Sequence, residues 1–351
     1  MKKISDWKKI ILINFLITFF ILLIIEGLSA SIYYYKHGHP NGRLASEWVI
    51  ERVSKKIDRL IALKSAKSYP RISDELIINP KSNVEKKLKF YLIKEYEKEF
   101  SNLVNFLNVR SIPLVILWIP TSKSKKINNF YENFFQDISE KNNLDFISMK
   151  KFINMPSWSI FMEPYNGHLT RYANHLISEE LNKLISKNDY RLRKSFKCKD
   201  IKGVWSSQTN EIWDVLPEVP YALTTDEYGF RQTSNLNYSK KKPSLLIAGD
   251  SFTFGPYLPF YDTYPSILQR KLSNWNIINA GVASFSIRSE ANIIKKNLDC
   301  INPSLVILQV LDNDLTGTAI AEYNRYNYLD EIRTIPIIEK KYYDQFILNN
   351  K

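Results

Sequence analysis

The stretch Ser244-Leu245-Leu246-Ile247-Ala248-Gly249-Asp250-Ser251-Phe252-Thr253-Phe254-Gly255 decides the fold. Its opening run, Ser244 to Ala248, is apolar without alternation, as in a strand covered on both faces. Gly249-Asp250-Ser251 then breaks the run as a turn, and Tyr264 to Leu272 reads as a helix. Strand, turn and helix in that order form the repeating unit of a parallel α/β sheet.

The same unit recurs on either side. Downstream, Asn276–Asn279 is a strand ending before Ala280-Gly281, Ser289–Leu298 a helix, and Ser304–Leu311 a strand ending at Asp312-Asn313-Asp314. Upstream, Leu88, Leu92, Phe100, Leu103, Val104 and Leu107 recur at helical spacing between Val84 and Val109. Leu114–Ile119 is an uninterrupted apolar run closed by Pro120, Lys125–Lys141 is helical, and Asp145–Met149 is a short strand. After His168, the residues Leu169, Tyr172, Ala173, Leu176, Ile177, Leu181 and Leu184 mark one helical face, with Thr170 placed as N-cap. The expected architecture is α/β, a three-layer α/β/α sandwich around a five-stranded parallel sheet, plus one N-terminal transmembrane helix.

In such sheets the ligand site lies at the carboxyl ends of the strands. That rule isolates three places. Ser251 sits on a turn before a helix, whose N-terminal N–H groups suit a developing oxyanion. Gly281 lets a backbone N–H approach a ligand closely. Asn313 offers a side-chain amide donor. A nucleophile ringed by donors suits acyl transfer.

These residues carry a family resemblance. Gly249–Gly255, Asn279-Ala280-Gly281-Val282 and Asn313-Asp314 resemble the first three blocks of the SGNH (GDSL-type) hydrolases, and Tyr228-Gly229-Phe230-Arg231 is similar to what precedes the serine in membrane-anchored members. The resemblance implies Ser251 as nucleophile, with an oxyanion hole of the Ser251 N–H, the Gly281 N–H and the Asn313 side chain. Gly249 and Asp250 support the turn.

The family's last block, an Asp shortly before a catalytic His, does not follow, because no histidine occurs after position 175. Asn166-Gly167-His168-Leu169-Thr170 and the helix after it resemble that block moved ahead of the serine. Either the fold is circularly permuted or two incomplete domains lie in tandem. A His-before-Ser order is similar to that of alginate O-acetyltransferases and related polysaccharide O-acetylating proteins. The resemblance implies His168 as general base. Where those relatives carry Asp, this chain has Asn166, which can orient an imidazole but adds no charge. Glu163 is the alternative partner, and a Ser-His dyad using backbone carbonyls is a third. His175 reads as structural, His37 and His39 as linker, and Asp312 and Asp314 as loop supports.

Composition bounds the rest. The 351 residues are 44% hydrophobic and 24% charged, so the chain can bury a core. Lys and Arg number 49 against 36 Asp and Glu, a net charge of +13. Without an Arg-rich helix, zinc-finger spacing or a basic/aromatic repeat, that excess reads as compositional bias and not as a nucleic-acid signal. Two cysteines exclude a disulfide-dense scaffold and a multi-Cys zinc site; Cys198 and Cys300 either pair or leave a buried thiol at Cys300. No metal and no cofactor is expected.

Lys2, Lys3, Lys8 and Lys9 precede an apolar run from Ile10 to Ile25, which continues mostly apolar to Tyr35. About 20 such residues span a bilayer, and the lysines keep the N-terminus cytoplasmic. The segment is a retained anchor or a signal peptide cut near Leu28-Ser29-Ala30. The expected organisation is 1–35 tip and anchor, 36–83 linker with short helices, 84–185 first part of the domain, 186–243 connecting segment, 244–317 second part with the nucleophile, and 318–351 tail. The expected role is a membrane-anchored, extracytoplasmic (periplasmic or cell-surface) esterase or O-acyltransferase acting on acyl esters, with acetyl favoured, of a cell-envelope or exported polysaccharide. Its expected partners are that substrate, the membrane and a multi-spanning acyl-donating membrane protein, with no nucleic acid. The competing expectation is an inactive SGNH-fold protein that binds glycan or scaffolds the envelope.

Overall fold

The computed structural model describes residues 74–316 other than 163–166, 189, 191, 192, 194, 198–200, 202, 204–223, 233–237 and 284, together with residues 14, 17, 18, 20, 21, 24, 27 and 28. Contacts divide the chain into two units, Met1–Ser68 and Tyr69–Lys351. In the first, the described residues are helical, and Ile17, Phe20, Ile21, Ile24 and Leu28 are exposed. Among the described residues no helix is long and apolar enough to cross a membrane. Most of the stretch read as an anchor, residues 29–73 with His37 and His39, and the tail from 317 lie outside the described residues.

The second unit begins with α1 (Asp74–Ile78) and α2 (Asn83–Asn108). A capping box starts α2: Ser82 Oγ accepts the Glu85 N–H, and the Glu85 carboxylate accepts the Ser82 N–H, each at 3.1 Å. Leu92, Tyr96, Phe100, Leu103 and Leu107 are fully buried along one side of this helix. Then follow β1 (Leu114–Trp118), α3 (Lys125–Lys141), β2 (Asp145–Ser148), a one-turn helix α4 (Ser157–Ile160) and α5 (Arg171–Lys187). Thr170 caps α5, its hydroxyl accepting the Ala173 N–H at 3.1 Å. The second part holds β3 (Ser244–Gly249), α6 (Ser251–Phe254), α7 (Tyr264–Lys271), β4 (Asn276–Gly281), α8 (Ile287–Ile301), β5 (Leu305–Val310) and α9 (Asp312–Thr316).

All strand pairs are parallel, in the order β2-β1-β5-β3-β4. Strands from both parts of the chain therefore share one sheet, and β1 pairs directly with β5. One sheet built from both parts excludes two incomplete domains in tandem. Numbered from the serine strand, the order becomes 2-1-3-4-5, the doubly wound order whose ligand site lies where the direction of winding reverses. Here that switch point falls between β3 and β5.

Alternate residues of each strand feed opposite layers, as the two-residue period requires. Ile116, Trp118, Leu246, Ala248, Val306 and Leu308 join the face covered by α2, α3 and α8. Val115, Leu117, Leu245, Ile247, Leu305 and Ile307 join the face covered by α5 and α7. Burial on both sides explains the uninterrupted apolar runs. The edge strand β2 is less buried.

Two details differ from the sequence reading, in β4 and in α5. β4 continues to Gly281, which pairs with Gly249. Tyr172, read as part of the buried face of α5, is 49% exposed. Of the two readings left open for Cys300, the bonded one holds; Cys198 lies outside the described residues. Within the connecting segment, Arg231 and Gln232 lie along the open edge of β4, the Arg231 N–H donating to Asn279 O at 3.1 Å and Gln232 Nε2 to Ile277 O at 2.9 Å.

Leu308 is fully buried in the middle of the sheet. We expect Leu308→Ala to lower the unfolding free energy by about 2–5 kcal/mol and Ser82→Ala, which removes the capping box, by about 1 kcal/mol. Urea denaturation of the two variants measures both.

Candidate active site

Ser251 opens α6 directly after β3. Asp250 is the N-cap: Oδ1 accepts the Phe252 N–H at 2.9 Å, and the side chain is fully buried. Its other oxygen, Oδ2, accepts from Asn313 Nδ2 at 2.9 Å. One carboxylate thus fixes the turn carrying the serine and the amide arriving from the end of β5. Gly249 lies beneath them, where a Cβ would strike Thr253 Oγ1 and Gln309 Oε1.

His168 reaches the serine from the far end of the sequence. The Met162 N–H donates to its carbonyl at 2.8 Å, and a short antiparallel bridge joins Phe161 to Leu169. These contacts hold the segment before α5 in extended form. His168 Nε2 lies 2.9 Å from Ser251 Oγ. That separation is within direct proton-transfer reach. The ring stands between Phe252 and Tyr257, with centroids at 5.4 and 4.9 Å. Asn166 and Glu163, the residues read as orienting His168, lie outside the described residues. His175 is exposed on α5.

The three expected oxyanion donors differ in availability. Among the described residues no bond takes up the Ser251 N–H. Asn313 has two amide hydrogens and gives one to Asp250, leaving the second. Gly281 departs from expectation, because its N–H donates to Asn279 Oδ1 at 3.0 Å. A Cβ at Gly281 would lie 2.6 Å from Phe254 N and from Thr253 Cβ. The glycine is thus needed for close packing of β4 against α6, and its N–H is engaged in this state.

Several supports carry no sequence signature of their own. Asn279 also donates to Thr253 O at 3.0 Å, tying the end of β4 to α6. Gln309 Oε1 accepts from Thr253 Oγ1 at 2.8 Å, and Thr253 Oγ1 lies 2.7 Å from Tyr264 OH. Asp312, beside Asn313, accepts from Thr121 Oγ1 at 2.8 Å and Lys123 Nζ at 2.7 Å. Lys123 also pairs with Asp74 at 2.8 Å, so the loop after β1 braces the start of α9. Among the described residues no cluster of three or more His, Cys, Asp or Glu could hold a metal ion.

A small cleft opens beside Ser251 and His168, walled by Met162, Leu169, Phe252, Pro256, Tyr257 and Leu258. The arrangement is a hydroxyl in contact with an imidazole, faced by N–H donors and a small, mainly apolar cleft.

Neither a protein-family model nor a curated protein sequence matches the chain. Among solved structures, it is similar to the O-acetyltransferase domain of Pseudomonas putida AlgJ, at 13% identity and a TM-score of 0.43, over 74% of this chain and 94% of that one. It is also similar to Pseudomonas aeruginosa AlgX, at 13% identity and a TM-score of 0.39, over 63% of this chain. The match spans 58% of the AlgX chain.

Burial raises the Asp250 carboxyl from its ordinary value to about 6, against the lowering effect of the Phe252 N–H and Asn313. The native state therefore holds more protons here than the unfolded chain between roughly pH 4 and 6. The contribution is whole below about pH 4 and is lost as pH rises through about 6. We expect the stability of wild type relative to Asp250→Asn to fall by up to about 3 kcal/mol across that window and to level off above it. Urea unfolding at stepped pH measures the difference, and a flat difference contradicts the assignment.

Proposed function

We propose that this protein is an SGNH-type serine esterase or O-acyltransferase, and the observation that carries the proposal is the 2.9 Å contact between Ser251 Oγ and His168 Nε2 at the switch point of the sheet. His168 takes the hydroxyl proton as Oγ attacks the ester carbonyl carbon. The carbonyl oxygen becomes an oxyanion held by the Ser251 N–H and the second Asn313 N–H. The intermediate collapses, the C–O bond to the leaving alcohol breaks, and His168 returns the proton to that alcohol. In the second half His168 deprotonates water or a sugar hydroxyl, which attacks the acyl-enzyme and frees Ser251. Asn166 or Glu163 is the proposed orienting partner of His168. Gly281 joins the hole only if its bond to Asn279 opens.

The smallness of the cleft beside Ser251 supports a short acyl group, acetyl being the one the sequence resemblance favours. The sequence resemblance favours a cell-envelope or exported polysaccharide as the ester's alcohol, and a multi-spanning membrane protein as acyl donor in the transferase case. We place the body outside the cytoplasm, on a single N-terminal membrane helix with its lysines inside. The exposed Ile17, Phe20, Ile21, Ile24 and Leu28 support this placement. The bonded state of Cys300 supports it too, since disulfides persist in oxidising compartments.

The engaged Gly281 N–H favours a second reading, in which the fold binds glycan without turning it over. A fluorophosphonate probe separates the two. Labelling of wild type that maps to Ser251 by mass spectrometry and is lost in Ser251→Ala and His168→Ala supports the enzyme. Absence of labelling in wild type supports the binding protein. We further expect Asn313→Ala to lower turnover of 4-nitrophenyl acetate by about 10²–10³-fold, the usual loss of one oxyanion donor, with little change in KM. A loss seen only in KM would place Asn313 in substrate binding instead.

A further inference from the structure

Among the described residues of the second unit, the exposed large apolar side chains are Phe90, Val109, Trp158, Tyr172 and Tyr261. Their placement is not even. Val109 ends α2 at the amino edge of the sheet, and Phe90 stands on the body of that helix. The other three belong to elements at the carboxyl edge, where Ser251 and His168 lie. Trp158 is in α4, on the path from the end of β2 to the start of α5. Tyr172 is in the first turn of α5, four residues after His168. Tyr261 is in the single 3-10 turn, Phe260–Asp262, that precedes α7.

Each is presented by a fixed element. Thr170 ties α4 to the start of α5, its hydroxyl donating to Ser159 O at 2.6 Å and its N–H to Ile160 O at 2.8 Å. Arg171 pairs with Asp262 at 2.7 Å, so Tyr172 and Tyr261 are the chain neighbours of one ion pair. Phe260 stands edge-on to Tyr261, with centroids 5.7 Å apart. Aromatic rings half exposed to water on braced supports offer contact area with little ordering left to lose on binding. Spaced rings around a charged pair suit an amphipathic ligand better than a continuous aliphatic face. A pyranose ring is such a ligand: its C–H face meets an aromatic ring, and its rim of hydroxyls meets Arg171, Asp262 and the tyrosine hydroxyls.

We propose that Trp158, Tyr172 and Tyr261 form a platform that seats successive pyranose rings of a polysaccharide and leads the chain to Ser251. The link to Ser251 rests on the acyl-transfer reading above, while the platform is tested without it. Hexasaccharides of β-1,4-linked glucose, of N-acetylglucosamine and of a hexuronic acid are titrated into the full-length protein by isothermal calorimetry. At least one is expected to bind, with affinity reduced tenfold or more in Trp158→Ala and in Tyr261→Ala, partly restored in Trp158→Phe, and unchanged in Phe90→Ala. Should Trp158→Ala fail to fold by circular dichroism, Tyr261→Ala carries the same test. Binding that survives in Ser251→Ala and is lost in the platform variants supports the platform whatever the probe labelling shows. No binding of any hexasaccharide at millimolar concentration overturns the proposal, as does equal weakening by Phe90→Ala. Labelling of Ser251 without hexasaccharide binding removes the platform and leaves the esterase reading standing.

Discussion

The two hydrogen bonds accepted by the Asp250 carboxylate are the constraint on which the site depends. One holds the Phe252 N–H and so shapes the turn that exposes Ser251; the other holds Asn313. These partners come from opposite sides of the switch point, one following β3 and one following β5. A buried carboxylate with two good donors is stable where a lone one is not. Remove the carboxylate, and the serine and the amide lose their common reference.

The order of the chain matters less than the pairing of its strands. β1 reaches the sheet first in sequence yet lies beside β5, which comes last among the strands. The loop after β1 then meets the start of α9, through Thr121 and Lys123 on Asp312. In the same way α5, built before the serine strand, supplies Asn174 Oδ1 to accept the Tyr264 N–H at 2.8 Å at the start of α7. Thr263, the N-cap there, makes no side-chain capping bond, so an early helix completes a late one. Contacts of this kind join the two parts of the chain and leave neither a complete layer on its own.

The sheet was legible because three of its strands, buried on both faces, write mostly apolar runs at Leu114–Trp118, Ser244–Gly249 and Leu305–Val310. Ser251 and Asn313 were legible as polar residues where such runs stop, and His168 because so few histidines compete with it. Asn279, Gln309 and Thr253 were not, because a single polar residue at a buried position has no period and shows its purpose only through its partners. Tyr172 was misread for a related reason: helical spacing marks a broad face, and a residue near its edge at the first turn can be turned to solvent. The capping box at Ser82 and Glu85 is written in the sequence as a Ser followed three residues later by Glu. Gly281 shows the limit of reasoning by residue type. Close approach was the correct reason for a glycine, but what approaches is the backbone of α6.

Charge under the site sets a further requirement. Glu290 is fully buried, and among the described residues neither of its carboxylate oxygens has a hydrogen-bond partner. Burial, together with Asp314 and Asp250, holds it well above the ordinary carboxylate range. Asp314 is raised by burial and by Asp250, against a single favourable bond from the Leu311 N–H at 2.7 Å. Three buried carboxyls this strongly opposed cannot all ionise at neutral pH. The charge settles where donors are most numerous, and that is Asp250. The fold thus gives its donors to the one carboxyl that orients the turn and the amide, and leaves Glu290 none among the described residues.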